Sequence, residues 1–166
     1  MIIIGYPGIG KSTLAGRDHR YIDLESSLFM VDGVRALDWY KPYCKVAEGL
    51  SRQGYTVFVS SHSVVVEALR ASQETVAVIY PSVGLRDEWI AKLKERYLKT
   101  LSVKDFRAYS RACWHYADDI MELESCNKVD KICLKTMNYD LQEVLSYYSS
   151  TLDVAPGCYG CFEVYG

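Results

Sequence analysis

Short apolar runs alternate with amphipathic segments along the chain, and this alternation predicts its secondary structure. Runs rich in β-branched and aromatic residues predict five strands, at 1–4, 21–27, 55–59, 75–80 and 129–134. Apolar residues at helical spacing predict the helices between them, at 12–17, 39–53, 64–71 and 85–100, with one more after Ser102 and a last one after Asp140. Because strands and helices alternate, we expect one α/β domain with a parallel sheet and helices on both faces.

Length and composition describe an ordinary globular chain. It has 166 residues, of which 49% are hydrophobic and 24% charged, and this suits a single domain. The net charge of −2 argues against a long nucleic-acid-binding surface and leaves room only for a local basic pocket. Met1 leads directly into the first strand, and no apolar run reaches membrane-spanning length, so we expect a cytoplasmic protein without a membrane segment.

The six cysteines are expected to be reduced thiols, because most of them lie in apolar segments as small core residues do. Cys158 and Cys161 form a lone CxxC, and the two further ligands of a zinc site do not lie nearby in the sequence. The tail 151–166 loses periodicity and gathers glycine, proline, tyrosine and cysteine, and we expect it either to pack over a surface or to contact another chain.

The first strand runs into a glycine-rich segment that fits GxxxxGK[ST], the pattern of a phosphate-binding loop. Glycines let the backbone curl so that successive N–H groups face one concavity. Lys11 can reach the β- and γ-phosphates, and the Ser12 hydroxyl can ligate Mg²⁺. The alternative is a chance glycine-rich turn, but the strand before and the helix after favour a nucleotide site. Its predicted residues are Gly5, Pro7, Gly8, Ile9, Gly10, Lys11, Ser12 and Thr13.

Polar side chains also follow the second and third predicted strands. Asp23 and Glu25 share one side of extended chain, where a carboxylate can hold Mg²⁺ or bind an acceptor hydroxyl. Ser61 and His62 follow the third strand, where parallel α/β sheets carry binding loops. The alternatives are a solvated strand end for the two acids and a helix cap for a serine.

Three arginines in the second half of the chain are candidates for binding a transferring phosphoryl group. Arg107 and Arg111 are four residues apart on a predicted helix and therefore point the same way, and Arg96 ends the preceding helix. The alternative is a solvated face with local ion pairs. The run 127–130 matches the NKxD letters of GTPases, but it precedes a strand instead of following one, so we interpret it as a chance match.

With these residues, the chain resembles the small P-loop kinases, namely the nucleoside monophosphate kinases and their shikimate and gluconate kinase relatives. The resemblance implies a P-loop NTPase fold with strand order 2-3-1-4-5, a kinase-like domain over 1–150, a mobile helical lid at about 96–125 and the tail 151–166. Asp23 is similar to the acidic residue that binds acceptor hydroxyl and metal water in shikimate kinases, and Arg96 to a lid arginine. The runs 21–27, 60–62 and 79–81 also resemble uncharacterised nucleotide-kinase-like proteins of phages and Firmicutes.

The resemblance implies ATP- and Mg²⁺-dependent phosphoryl transfer to a small acceptor such as a nucleoside or nucleotide. Lys11, Asp23, Arg96, Arg107 and Arg111 are then the candidate catalytic residues, Ser12 and Asp23 the metal ligands. Asp23, Glu25, Ser61 and His62 are the candidate substrate-binding residues. The chain lacks the acceptor signatures of adenylate and thymidylate kinases. A nucleotide-binding regulator or partner-dependent ATPase, and a kinase acting on a DNA hydroxyl, therefore stay open as alternatives.

Overall fold

A computed structural model describes residues 1–30, 32–152 and 160–165, and within them the chain forms an α/β fold around one parallel sheet. The sheet has six strands in the order β2-β3-β1-β4-β5-β6. They are β1 (Ile2–Gly5), β2 (Tyr21–Asp23), β3 (Thr56–Ser60), β4 (Val76–Pro81), β5 (Asp130–Leu134) and β6 (Cys161–Val164). The predicted α/β class and the parallel pairing are confirmed.

Six α-helices connect these strands. They are α1 (Lys11–Ala15), α2 (Tyr40–Arg52), α3 (Ser63–Leu69), α4 (Arg86–Thr100), α5 (Val103–Ser125) and α6 (Leu141–Leu152). Ser102 caps the start of α5, since the Asp105 N–H donates to Ser102 Oγ at 3.1 Å. None of the described helices is both long and apolar enough to cross a membrane.

The central strands are buried on both sides. Every residue of β1 and of β4 is buried, and because successive side chains of a strand point to opposite faces, both faces of the sheet must be covered. In the sheet register Gly5, the last residue of β1, is paired with Ser60 of β3 and Ile79 of β4. The loops that follow β1, β2 and β3 therefore meet at one edge of the sheet, next to each other.

The sequence-based expectation of five strands is wrong, because part of the tail adds a sixth. β6 runs parallel to β5, and Leu134 is paired with Val164. Buried Asp130 fixes this arrangement: its Oδ2 accepts from Tyr148 Oη at 2.6 Å and its Oδ1 from the Gly160 N–H at 2.8 Å. Four residues inside a tail of glycine, tyrosine and cysteine carry too weak a pattern to predict a strand.

Asp130 is also the last residue of the NKxD match. Both of its carboxylate oxygens are engaged inside the protein, so its role in this chain is to hold the sixth strand. The five described cysteines, Cys44, Cys113, Cys126, Cys133 and Cys161, are free thiols. Cys158 lies outside the described residues, so the structure does not describe the CxxC pair.

Candidate functional site

One cavity of about 950 Å³ lies at the edge of the sheet where β1, β2 and β3 end, and α4 and α5 border it. It brings together every candidate residue named from the sequence. These are Gly5, Pro7, Gly8, Ile9, Gly10, Lys11, Ser12, Thr13, Asp23, Glu25, Ser61, His62, Arg96, Arg107 and Arg111. The cavity thus joins residues from both halves of the chain.

The loop after β1 has the backbone of an anion-binding nest. Gly8 and Gly10 have φ angles of 93° and 102°, a region that side chains disfavour. Among the described residues, no protein acceptor takes a hydrogen bond from the N–H groups of Gly8, Gly10, Lys11 or Ser12. Several backbone donors beside the cavity are therefore free to bind an anion. The helix that follows, α1, has five residues and is shorter than predicted. The loop N–H groups and Lys11 therefore provide most of the attraction for an anion.

Lys11 folds back into the loop. Its Nζ donates to the Gly5 carbonyl at 2.5 Å. Burial lowers the pKa of Lys11 from 10.5 to about 8, while the nearby Asp23 carboxylate opposes that shift. Loss of water around the ammonium is thus only partly compensated, and a phosphate group entering the loop would supply the missing negative charge.

Ser12 and Asp23 meet beside the loop. The Ser12 hydroxyl donates to Asp23 Oδ2, and Asp23 is the last residue of β2. A hydroxyl and a carboxylate are oxygen ligands of the kind that Mg²⁺ prefers, and Mg²⁺ takes its other ligands from water and phosphate. Within the described ranges there is no cluster of three or more His, Cys, Asp or Glu that could hold a metal ion by itself. The pair therefore fits a Mg²⁺ ion shared with a bound phosphate.

Glu25 connects the β2 side of the cavity to α5. Its carboxylate accepts a hydrogen bond from Lys104 Nζ, near the N-terminal end of α5. Both residues line the cavity, and the contact joins positions 79 apart in sequence. Sequence reasoning identified Glu25 and missed its partner.

The three candidate arginines differ in how they are held. Arg96 Nε lies 2.8 Å from Asp105 Oδ1, and Arg111 makes a two-pronged contact with Asp119 at 2.9 and 2.6 Å. Arg107 has no carboxylate within ion-pair distance among the described residues. The alternative of local ion pairs thus applies to Arg96 and Arg111, and Arg107 remains without an anionic partner there.

A further arginine, Arg35, lines the same cavity on the side of His62. One of its terminal nitrogens lies 3.1 Å from His62 Nε2, and the other donates to Ser26 Oγ at 2.7 Å. The guanidinium also lies 4.4 Å from the ring centre of Trp39. In the part of the chain that the structure describes, no carboxylate is within ion-pair distance of Arg35, and its buried Nε has no hydrogen-bond acceptor.

Arg35 also determines the state of His62. A guanidinium has donors only, so His62 Nε2 must accept, and Nδ1 then carries the proton and donates to Ser60 Oγ at 2.9 Å. Burial of the ring, with the positive charge of Arg35 second, lowers the pKa of His62 to about 4. His62 is therefore neutral at physiological pH, and its ring is held at the cavity with both nitrogens engaged by protein partners.

Sequence reasoning missed Arg35 and Lys92, for different reasons. Arg35 lies in the irregular segment between β2 and α2, where no helical or strand periodicity predicts which way a side chain points. Lys92 lies four residues before Arg96 on α4 and lines the cavity with it. The helical spacing that grouped Arg107 with Arg111 would have found Lys92 as well.

The charge of the cavity differs from that of the whole chain. Eight cationic side chains line it against five anionic ones, although the chain as a whole has a net charge of −2. Because the dielectric constant is lower inside a cavity than in water, this excess of positive charge attracts anions more strongly there than it would at the open surface. The cavity is thus suited to a ligand with several negative charges.

No protein-family model matches the chain, and no curated protein sequence matches it either.

Proposed function

We propose that the chain is a small kinase of the P-loop type, which transfers the γ-phosphoryl group of ATP to a small acceptor with the help of Mg²⁺. The observation that carries this proposal is the joining, in one positively charged cavity, of the glycine-rich loop with Lys11, the Ser12–Asp23 pair and a set of cations on the opposite wall. Binding of an anion alone would need only the loop, whereas transfer needs charge on both sides of the moving group.

On the ATP side, the free N–H groups of the loop and the Lys11 ammonium bind the β- and γ-phosphates. Ser12 and Asp23 would hold Mg²⁺, which would neutralise charge at the phosphate oxygens. Residues at about 96–125 act as a helical lid in a P-loop NTPase fold. The contact of Lys104 with Glu25 supports this role, because it ties α5 to the opposite side of the cavity.

On the acceptor side, Arg35, His62 and Ser61 border the cavity. Arg35 has no carboxylate partner among the described residues, which supports an acceptor that carries a negative group, such as a nucleotide. A guanidinium binds phosphate or carboxylate through paired donors, and a neutral nucleoside would leave that charge uncompensated.

In the transfer step, an oxygen of the acceptor attacks the γ-phosphorus while the bond between that phosphorus and the bridging oxygen of ADP breaks. Asp23 accepts the proton if the attacking group is a hydroxyl. Arg107, with Arg96 and Arg111, stabilises the negative charge on the moving phosphoryl group. Lys11 stays with the β- and γ-phosphate oxygens throughout.

The test is a transfer assay with labelled ATP, Mg²⁺ and a panel of nucleosides, nucleotides, sugars and short DNA strands. We expect label on an acidic small acceptor. Lys11→Ala should reduce transfer by about a hundredfold or more, because it removes a full charge from the reacting phosphates. Lys94→Ala is the matched control, since Lys94 is exposed on α4 and does not line the cavity.

Full activity of Lys11→Ala would contradict the assignment. Label on the DNA strand with a steep salt dependence would favour the DNA-hydroxyl alternative. Release of ADP with no labelled acceptor would favour a partner-dependent ATPase or nucleotide-binding regulator.

One observation favours that second class. Val103, Trp114 and Met121 are 65%, 80% and 55% exposed and lie on α5, the helix that borders the cavity. Exposed apolar side chains on that helix suit a protein contact that responds to nucleotide binding. If the chain is a partner-dependent ATPase, we expect ADP release to be slow for the isolated chain and to accelerate when the partner is added.

A further inference from the structure

Two aromatic side chains from other parts of the chain donate hydrogen bonds to the backbone of the glycine-rich loop. The indole Nε1 of Trp89, on α4, donates to the Pro7 carbonyl at 2.9 Å. The hydroxyl of Tyr139, just before α6, donates to the Ile9 carbonyl at 3.1 Å. Both bonds join residues far apart in the sequence, so neither is a by-product of local chain geometry. The two carbonyls immediately precede Gly8 and Gly10.

Because the peptide bond is planar, these contacts also orient the N–H groups of the residues that follow. In a planar trans peptide, the C=O of one residue and the N–H of the next point in opposite directions. Fixing the Pro7 carbonyl therefore fixes the direction of the Gly8 N–H, and fixing the Ile9 carbonyl fixes that of the Gly10 N–H. Gly8 and Gly10 both line the cavity, and neither N–H has a protein acceptor among the described residues, so both are available to a ligand there. The Pro7 oxygen is directed at Trp89, which does not line the cavity.

Without these donors the loop would have a competing conformation. Gly8 and Gly10 have no side chain to restrict them, and their peptides can turn over at little steric cost. A turned peptide would direct a carbonyl oxygen at the cavity, where it would repel a phosphate. Trp89 also limits the space at Gly8, because a Cβ there would lie 3.2 Å from the indole nitrogen.

Lys92 completes the arrangement. Its Nζ lies 4.6 Å from the ring centre of Trp89 and 5.3 Å from that of Tyr139, and the two rings are nearly parallel, at 5°. The ammonium also donates to Tyr139 Oη at 3.5 Å. Since that oxygen then accepts from Lys92, its own hydrogen is directed to the Ile9 carbonyl.

We propose that Trp89 and Tyr139 are positioning residues, which keep the Gly8 and Gly10 N–H groups directed at a bound polyphosphate by occupying the carbonyls of Pro7 and Ile9. The inference rests on the proposed binding of a nucleotide phosphate by this loop. It adds that the affinity for that phosphate depends on two side chains that act through the carbonyls of the loop backbone.

The test compares Tyr139→Phe and Trp89→Phe with a matched control, Tyr116→Phe. Tyr116 makes the same type of bond, from its hydroxyl to the Ser82 carbonyl at 2.9 Å, and that carbonyl lies outside the loop. Its ring packs against Tyr6, and this contact is kept when tyrosine is replaced by phenylalanine. Calorimetric titration uses Mg-ATP and, separately, tripolyphosphate, which lacks the nucleoside. We expect Tyr139→Phe and Trp89→Phe each to weaken both ligands by about two- to tenfold, and Tyr116→Phe to change neither by more than about twofold.

A second readout separates positioning from general destabilisation. The Gly8 and Gly10 amide resonances should shift in Trp89→Phe and Tyr139→Phe but not in Tyr116→Phe, even when the melting temperatures fall equally. Should Trp89→Phe fail to fold, Tyr139→Phe still decides, because it removes a single oxygen atom. Unchanged affinities in a wild type that binds both ligands would overturn this inference and leave the proposed function intact. A wild type that binds neither ligand would overturn both.

Discussion

The protonation of Lys11 makes nucleotide binding depend on pH in a calculable way. In the free protein the ammonium is enclosed by the loop, and burial lowers its pKa from 10.5 to about 8. A bound triphosphate would surround the same ammonium with negative charge and raise its pKa again. Binding above neutral pH must therefore take up a proton.

The size of the effect follows from that pKa. At about pH 8 half of the free molecules carry the Lys11 proton, so complete protonation in the complex requires uptake of about 0.5 proton per ligand. Uptake should fall to about 0.1 near pH 7 and rise to about 0.9 near pH 9. Nucleotide affinity should decrease as the pH rises, because the charged form of Lys11 binds phosphate more tightly than the neutral form. We expect full affinity well below the pKa of about 8, and affinity about tenfold weaker at pH 9 than at pH 7.

The assay is calorimetric titration of Mg-ATP in two buffers whose ionisation enthalpies differ, since the difference in apparent enthalpy counts the protons taken up. Lys92→Met is the control, because Lys92 also has a pKa lowered by burial and faces the same loop. If Lys11 is the group that titrates, the uptake persists in that variant. An uptake near zero at about pH 8 in the wild type would refute the reasoning, because Lys11 would then be fully charged before the ligand arrives.

Three further outcomes are expected. Arg35→Met should raise the KM of an acidic acceptor by about ten- to a hundredfold and leave the KM of ATP nearly unchanged, and steady-state kinetics with each substrate varied checks this. Gly8→Ala should weaken nucleotide binding more than Gly54→Ala does. Both have φ near +92°, but a Cβ at Gly8 meets Leu93 at 3.1 Å whereas at Gly54 it meets nothing within 4 Å; equal losses would contradict the crowding argument. Tyr148→Phe should cost about 1–3 kcal/mol in denaturant unfolding, because buried Asp130 loses a donor, without changing nucleotide affinity.

The parts of the site that could be predicted from sequence are those whose chemistry is local. The loop needs its glycines, Lys11 and Ser12 at consecutive positions, so the pattern is complete within one segment. Asp23 and His62 were found because the ends of parallel strands share one edge of a sheet. The α/β class followed in the same way from alternating periodicities.

What sequence reasoning missed depends on contacts between distant segments. Trp89 has the spacing of a core residue, and nothing in the sequence shows that its indole N–H reaches Pro7 across 82 positions. Arg35 lies in a segment without periodicity, and its direction depends on His62 and Trp39. The strand β6 depends on Asp130, whose letters favoured a different, rejected motif. In each case the contacting residue is distant in sequence or lies in a segment without periodicity, so the contact could be identified only from the fold.

The distribution of carboxylates among the cavity cations has a functional consequence. Asp105 and Asp119 neutralise Arg96 and Arg111, which limits the repulsion among positive groups when no ligand is bound. Five lining cations have no carboxylate within ion-pair distance among the described residues, namely Lys11, Arg17, Arg35, Lys92 and Arg107. Lys11 and Lys92 lie at the glycine-rich loop, Arg35 beside His62 and Arg107 on α5, so the unpaired charges come from different elements around the cavity. Under the proposed kinase function, a donor phosphate, an acceptor anion and the phosphoryl group passing between them would each find an unpaired cation, whereas binding of a nucleotide alone would use only those at the loop.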